Sequence, residues 1–525
     1  MDILPRCNDQ TTEGCPAYGS TVVLSCAFRR SQGSNTTIED GGAVIFTGVD
    51  IGGTNTDIAI VEEGVLTRKV PNDGGLKRAL ASFEIRGRLA VSTSQPLNRL
   101  VCGPPSSVHS LTIPGPGLPS PGSVAGMVNH RGDILEAIDP AATRAALEEH
   151  ASEYLAISGK FSVRNPALEE QVKAIALSCY PPERVATSHR LARLGFPARR
   201  VTTEVNVRIL EIVAEMNRII TQYARDFLFF KGDGGLASAS AVLDNPSVLF
   251  NSSPAAVALG ARYLSGRRNC LVVDVGGTTT DLVPLCEGAP LMQDVRIDGQ
   301  STFIRSIRAV SIPYGGDSVI ATHLCPRREG NPMAFGGERP TLTDALNCSG
   351  ASIGDARRSG SLDRVLAERA VREYISRVSA EIRASDAEVV VGTGYLADHL
   401  IPQISREAGV RCIIPDHAAC ANAIGVAVSR VSLSLWVRMD TGKERMIVNG
   451  DILRMDQEMG DDELIAWCKE EVRRRARDMG APEEDVADVV LEYFSAYDVV
   501  RYGRRTERIA DLQVSIAPGI TVDAK

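Results

Sequence analysis

The chain has 525 residues, 44% of them hydrophobic and 23% charged, with 57 basic against 65 acidic side chains and a formal net charge of −8. Such a composition is ordinary for a globular protein, and the length calls for more than one hydrophobic core. The acidic balance argues against a nucleic-acid or anionic-membrane partner, and no apolar run approaches the ~20 residues needed to cross a bilayer.

Residues 1–42 are polar, contain cysteine and lack the basic-then-apolar order of a signal peptide, so they read as a disordered or atypical extension. AVIFTGVDI (43–51) is a short apolar run of the kind that forms a strand buried on both faces. An alternating segment follows to Pro71, predicting hairpin strands. Residues 88–101 read as a strand entering a helix, and 102–125, rich in Pro, Gly and Ser, as a loop with little capacity to pack. Asp139 and Pro140 open a helix before the strand-like YLAISG, and Asn165 and Pro166 open another. Residues 204–227 carry apolar side chains at helical spacing and predict one long helix.

FLFFKGDGGLAS then leads to a helix over SPAAVALGARYLSG. A second hairpin follows at 269–286, then helical sequence near 361–384. EVVVGTGYLADHLIPQISREAG (388–409) reads as strand, glycine turn and helix; RCIIPDHAACANAIGVAVSR adds a strand and a helix packed through small residues. Beyond 432 the pattern becomes antiparallel strands with an amphipathic helix ending at Gly480, a small α+β appendix.

The most informative feature is a repeat. VDIGGTNTD (49–57) and VDVGGTTTD (273–281) differ only at their third and seventh positions. Each follows an apolar strand and exits into alternating sequence, predicting a hairpin whose Gly-Gly tip supplies positive φ and close backbone approach. Exposed N–H groups in such a tip form an anion-binding concavity, to which threonine hydroxyls add donors. Asp50 and Asp274 would repel phosphate directly and suit a hydrated Mg²⁺, which takes few protein carboxylates. Two copies imply one ligand clamped between two similar halves.

Other segments carry weaker signals. Gly392 and Gly394 lie between a buried strand and a helix, where a flat ring could approach the backbone. Gly315 and Gly316 precede VIATHL, which reads as a helix. Lys231–Gly235 reads as a surface turn, and His189 more often completes a structural hydrogen bond than serves as acid or base. The twelve cysteines form no CxxC pair and the seven histidines no HxH or HExxH metal pattern, so a reduced, cytoplasmic setting is expected.

In that order, VDIGGTNTD, LVVDVGGTTTDLV, PYGGDS and VVVGTGYL resemble the two phosphate motifs, a glycine pair and the adenosine motif of the actin-like ATPase superfamily. KFSVRNPALEEQV, SHRLARLG, KGDGGLAS, SSPAAVALGA, RPTLTDALNCSG and HAACANAIGVA narrow the resemblance to the hydantoinase/oxoprolinase family, A-type subunit. It extends over about 46–430, with weaker likeness beyond. The fold it implies is α/β: two ribonuclease-H-like lobes, 43–225 and 226–432, with the small α+β appendix at 433–525.

The resemblance implies ATP and Mg²⁺ in the cleft and hydrolysis of a cyclic amide, such as a hydantoin or 5-oxoproline, through phosphorylation of its carbonyl oxygen. On the matching positions, Gly52, Gly53, Thr54 and Thr56 hold the terminal phosphate, with Asp50 near the metal. Gly276, Gly277, Thr278 and Thr279 hold the other side, with Asp274 near the metal; Asp50 and Asp274 are also the only candidates for a catalytic role. Gly392 and Gly394 border adenine and ribose, and Gly315 and Gly316 the ribose or phosphates. A B-type subunit is an expected partner, and self-association stays open. Where the family has a full helix and a Gly-Thr-Thr loop, this chain has NDGGLKRALASFEI and Ser92-Thr93-Ser94. A small-molecule kinase on the same fold is an alternative, and that shortening leaves room for a catalytically weak, nucleotide-gated regulatory protein.

Overall fold

A computed structural model describes residues 45–53, 55–72, 75–104, 106–115, 122–455 and 458–521. The expected extension at 1–42 and the candidate Thr54 lie outside the described residues.

One strand arrangement is built twice. Phe46–Ile51 pairs antiparallel with Asn55–Val61 and parallel with Arg88–Thr93. Cys270–Val275 pairs antiparallel with Thr280–Cys286 and parallel with Val389–Thr393. Val65–Pro71, Phe227–Phe230 and Leu236–Ser238 complete a first six-stranded sheet; Ala289–Pro290 and Arg411–Ile413 extend the second. The central strands are buried on both faces, which is why they read as unbroken apolar runs. Residues 227–238, which the sequence reading gave to the second lobe, pair into the first sheet.

The long helix, Phe196–Ile220, starts earlier than its apolar spacing suggests and packs Val213, Met216 and Ile220 against Val49, Val91 and Phe229. Helices Arg364–Arg383 and Ala397–Ala408 cover one face of the second sheet through Tyr374, Val378, Ile401 and Ile404. Between the lobes lie helices Ser252–Ser265 and Ala421–Val428. Their backbones touch: a Cβ on Gly260 would stand 1.8 Å from the Ala421 carbonyl oxygen, and one on Gly425 1.9 Å from that of Ala256. Helix Ala421–Val428 lies on the first sheet, with Ala423, Ile424 and Ala427 against Phe46, Ala59 and Val61.

Two expectations fail locally. The Pro/Gly/Ser-rich stretch contains a strand, Val108–Ile113, whose alternating apolar residues pair parallel with Tyr154–Gly159 inside a three-stranded sheet. VIATHL is no helix: Ser318–Ile320 pairs antiparallel with Leu324–Arg328, as the β-branched Val319 and Ile320 favour. The helix-start readings hold. Asp139 accepts the Ala141 and Ala142 N–H groups, and Asn165 accepts that of Ala167 at 3.1 Å. The appendix is a five-stranded antiparallel sheet carrying helix Asp461–Asp478. Among the described residues, no helix is long and apolar enough to cross a membrane.

Candidate functional site

The two hairpin tips have the same construction. The Gly52 N–H donates to the Asn55 carbonyl at 3.0 Å, and the Gly276 N–H to that of Thr279 at 3.0 Å. None of Gly52, Gly53, Gly276 and Gly277 adopts positive φ, contrary to expectation. Crowding is marked at Gly277 alone, where a Cβ would lie 2.7 Å from Asp317 Oδ2, whereas one on Gly53 would meet nothing closer than 4.0 Å. The last threonine of each motif is withdrawn from the tip. Thr56 donates to Asn72 Oδ1 at 2.7 Å, and Asn72 in turn holds the Gly52 carbonyl. Thr280 donates to the Tyr314 carbonyl at 2.8 Å. Thr278 is exposed, and Thr279 reaches Asp281 at 3.4 Å.

The second tip gathers the other glycine motifs. The Gly316 N–H donates to the Gly276 carbonyl and that of Asp317 to Gly277, at 3.0 and 2.7 Å. Gly394 has φ +89°, and a Cβ there would stand 2.3 Å from the Val275 carbonyl oxygen. Gly392 sits within strand Val389–Thr393, its space closed by Ile401. Gly276, Gly277, Gly315, Gly316 and Gly394 therefore form one contiguous backbone wall.

Hairpin register sets the carboxylates. Asp50 faces Asp57 across one pair of strands and Ser92 across the other; Asp274 faces Asp281 and Thr393 in the same way. Burial, then the neighbouring Asp57, pushes the Asp50 carboxyl up to about 6. Burial likewise raises Asp274 to about 7, against the Thr393 hydroxyl that donates to it at 2.7 Å. Lys69 contacts Asp57 at 2.6 Å. Burial disfavours its ammonium, but the Asp57 charge outweighs this, and Asp274 adds to the same effect. Asn422 joins from the other side, donating to Asp50 Oδ2 at 2.7 Å and to Asp57 Oδ2 at 3.0 Å.

Asp50 Oδ1 is buried and has no hydrogen-bond partner among the described residues, so it offers a lone pair to a cation or its water. No group of three or more His, Cys, Asp or Glu side chains converges among the described residues. The donor set fits a hydrated Mg²⁺ held by one or two carboxylates and the phosphates it accompanies, rather than a caged metal. Lys69 and Asn422 escaped the sequence reading. Asp57 and Asp281 were inside the repeat, and the hairpin register would have paired them with Asp50 and Asp274.

His189 serves structure. Its Nδ1 lies 2.8 Å from Glu169 and its Nε2 3.0 Å from Glu170. Glu169 also accepts the Gly159 N–H and the Ser188 hydroxyl, and Arg199 donates to Ser188. Burial alone would raise the Glu169 carboxyl, but the His189 hydrogen bond and charge, with Arg199, hold it down at about 2.

Residues 199–357 match the family model described as hydantoinase/oxoprolinase. The alpha subunit of caprolactamase from Pseudomonas jessenii is 25% identical over 324 residues, 55% of this chain but only 44% of that protein. A nucleotide-free acetone carboxylase structure superposes with a TM-score of 0.65 at 16% identity, covering 91% of this chain and 88% of the other. The ATP-dependent caprolactamase structure from Pseudomonas jessenii gives 0.59 at 19% identity, with the same coverage. The repeated sheet and these likenesses establish the α/β architecture of the actin-like ATPases. Through the matched region and the caprolactamase likeness, the chain is similar to the hydantoinase/oxoprolinase family.

Proposed function

We propose that this chain is an ATP-dependent cyclic-amide hydrolase, or the ATPase subunit of one working with a B-type partner. The observation that carries this reading is the pair of matched Asp-Gly-Gly hairpins, with Lys69 ion-paired to Asp57 beside Asp50. ATP would supply the phosphoryl group that activates an amide carbonyl oxygen toward water. Asp50 and Asp274 would hold its Mg²⁺ through water, and the backbone wall from Gly276 to Gly394 would receive the nucleotide. The chain's own contribution is positioning and charge neutralisation, the main requirements of phosphoryl transfer. Lys69 offsets carboxylate repulsion in the cleft, and Asn422 fixes the orientation of Asp50. The names of the relatives, a caprolactamase subunit and an acetone carboxylase, support a small carbonyl substrate and a second subunit.

The test is release of ADP with caprolactam, hydantoin and 5-oxoproline, with and without a B-type subunit, alongside assay of the ring-opened acid. Equal amounts of ADP and acid uphold the reading. Absence of nucleotide binding overturns it, and a stable phosphorylated product would make the protein a small-molecule kinase.

A further inference from the structure

A cavity of about 290 Å³ lies where the first lobe, the strand Gln300–Ile307 and the appendix meet, and the phosphate cleft makes no use of it. Two segments that the cleft leaves unexplained, KFSVRNPALEEQV and SHRLARLG, contribute Arg164 and Arg193 to its wall. The Arg193 guanidinium lies 4.5 Å from the centroid of the Phe303 ring and 5.8 Å from Trp436. Tyr493 continues the aromatic wall, its ring 6.4 Å from Trp436. Leu194 and Tyr493, 51% and 47% exposed, form the rim and leave a way in.

The charges in this cavity do not balance. Arg164 and Arg438 share one carboxylate, Asp511, at 2.6 and 2.7 Å. Arg193 has no carboxylate within ion-pair distance among the described residues, and burial holds its guanidinium below the ordinary arginine range. Stacking on aromatic rings occupies the faces of a guanidinium and leaves its N–H edge for an in-plane acceptor. The backbone that carries Arg193 is held in place: its carbonyl accepts from the buried Arg199 at 3.1 Å, and Ala192 before it is left-handed, φ 53°. A pre-fixed guanidinium edge between aromatic walls matches a carboxylate attached to a flat or apolar body.

We propose that this cavity binds a small organic carboxylate, its acid group on the Arg193 edge and its apolar body between Phe303, Trp436 and Tyr493. The proposal does not depend on ATP chemistry. The acid has two sources: the ring-opened product of the proposed reaction, or an unrelated carboxylate that regulates the protein.

The chain has two tryptophans, Trp436 in the wall and Trp467 on helix Asp461–Asp478. In the full-length W467F variant, emission therefore reports on the cavity alone. Titration with benzoate should change it saturably, and neutral benzamide should not. R193Q should weaken benzoate binding by about tenfold or more. R193K, which keeps the charge but loses the planar fork, should fall between. Repeating the titration with the ring-opened acid of caprolactam separates the two sources, since tighter binding than benzoate marks a product site and no binding a regulatory one. The absence of a saturable benzoate response, an equal response to benzamide, or undiminished binding by folded R193Q would overturn the assignment. If R193Q does not fold, the contrast between benzoate and benzamide decides alone.

Discussion

Asn422 donates its side-chain amide to Asp50 at 2.7 Å, although 372 residues separate them in the chain. It also reaches Asp57, so one neutral donor holds two carboxylates that would otherwise repel each other. Asn422→Ala should lower ATP turnover by about tenfold or more and destabilise the protein by about 1.5–3 kcal/mol, as expected for lost hydrogen bonds to charged groups. Steady-state ADP release and urea denaturation would check both.

Asp50 makes the stability of the nucleotide-free protein depend on pH. Its folded value, about 6, lies above the unfolded 3.8, so between these values the folded state binds the proton more tightly. The Asp50 contribution to stability therefore falls as pH rises through that window, by on the order of 3 kcal/mol, and then levels. Asp50→Asn should reduce the slope between pH 4 and 6, leaving the part that Asp274 contributes, and raise the melting temperature above pH 6, while abolishing ATP turnover. Melting curves from pH 4 to pH 8 would show an undiminished slope in the variant if Asp50 took no part.

Asp274 titrates at about 7 for the same reason, and a divalent cation beside it favours the carboxylate. Binding of Mg²⁺ and nucleotide near neutral pH should release protons and tighten as pH rises from 6 to 8. Calorimetry in buffers of different ionisation enthalpy measures the proton count, and Asp274→Asn should reduce it.

Glu169 and His189 form a buried pair with Arg199 close by. Glu169→Gln leaves the cations without their partner and should cost about 3–5 kcal/mol. Loss of amide-exchange protection should begin in residues 154–199, around this network, before it reaches the second sheet.

Gly315→Ala tests the backbone wall. Its Cβ would stand 2.5 Å from the Gly277 carbonyl oxygen and 2.7 Å from that of Gly276, backbone atoms with no flexible side chain to yield. Nucleotide affinity should drop by about tenfold or more, with far smaller loss of stability, because the displaced tip lies at a strand end.

The sequence disclosed the elements whose signals are local. Buried strands announced themselves as apolar runs, the Asp139 and Asn165 caps marked helix starts, and the repeated nine residues pointed to two matching hairpins. Signals that depend on distant partners stayed hidden. The strand at Val108–Ile113 has its place because Tyr154–Gly159 lies beside it, and its Pro- and Gly-rich flanks concealed it. Residues 227–238 join the first sheet across the length of helix Phe196–Ile220, a pairing that composition does not show, so the lobe boundary drawn at 225 cuts that sheet. Lys69 and Asn422 matter through tertiary contacts with Asp57 and Asp50 that no short spacing encodes. Thr56 and Thr280 had the right residue type for a phosphate turn, but the pleat directs them inward.

The glycine contact between helices Ser252–Ser265 and Ala421–Val428 bears on how such a cleft would open. One helix rests on the strands that carry Asp274, the other on those that carry Asp50. At Gly260 and Gly425 no interlocking side chains resist a small rotation, while the touching backbones block any closer approach. The seam can act as a rivet, about which the hairpin tips swing like the blades of scissors. A methyl group added at the rivet would then hold the blades ajar, and nucleotide affinity would suffer although every residue of the cleft was unchanged.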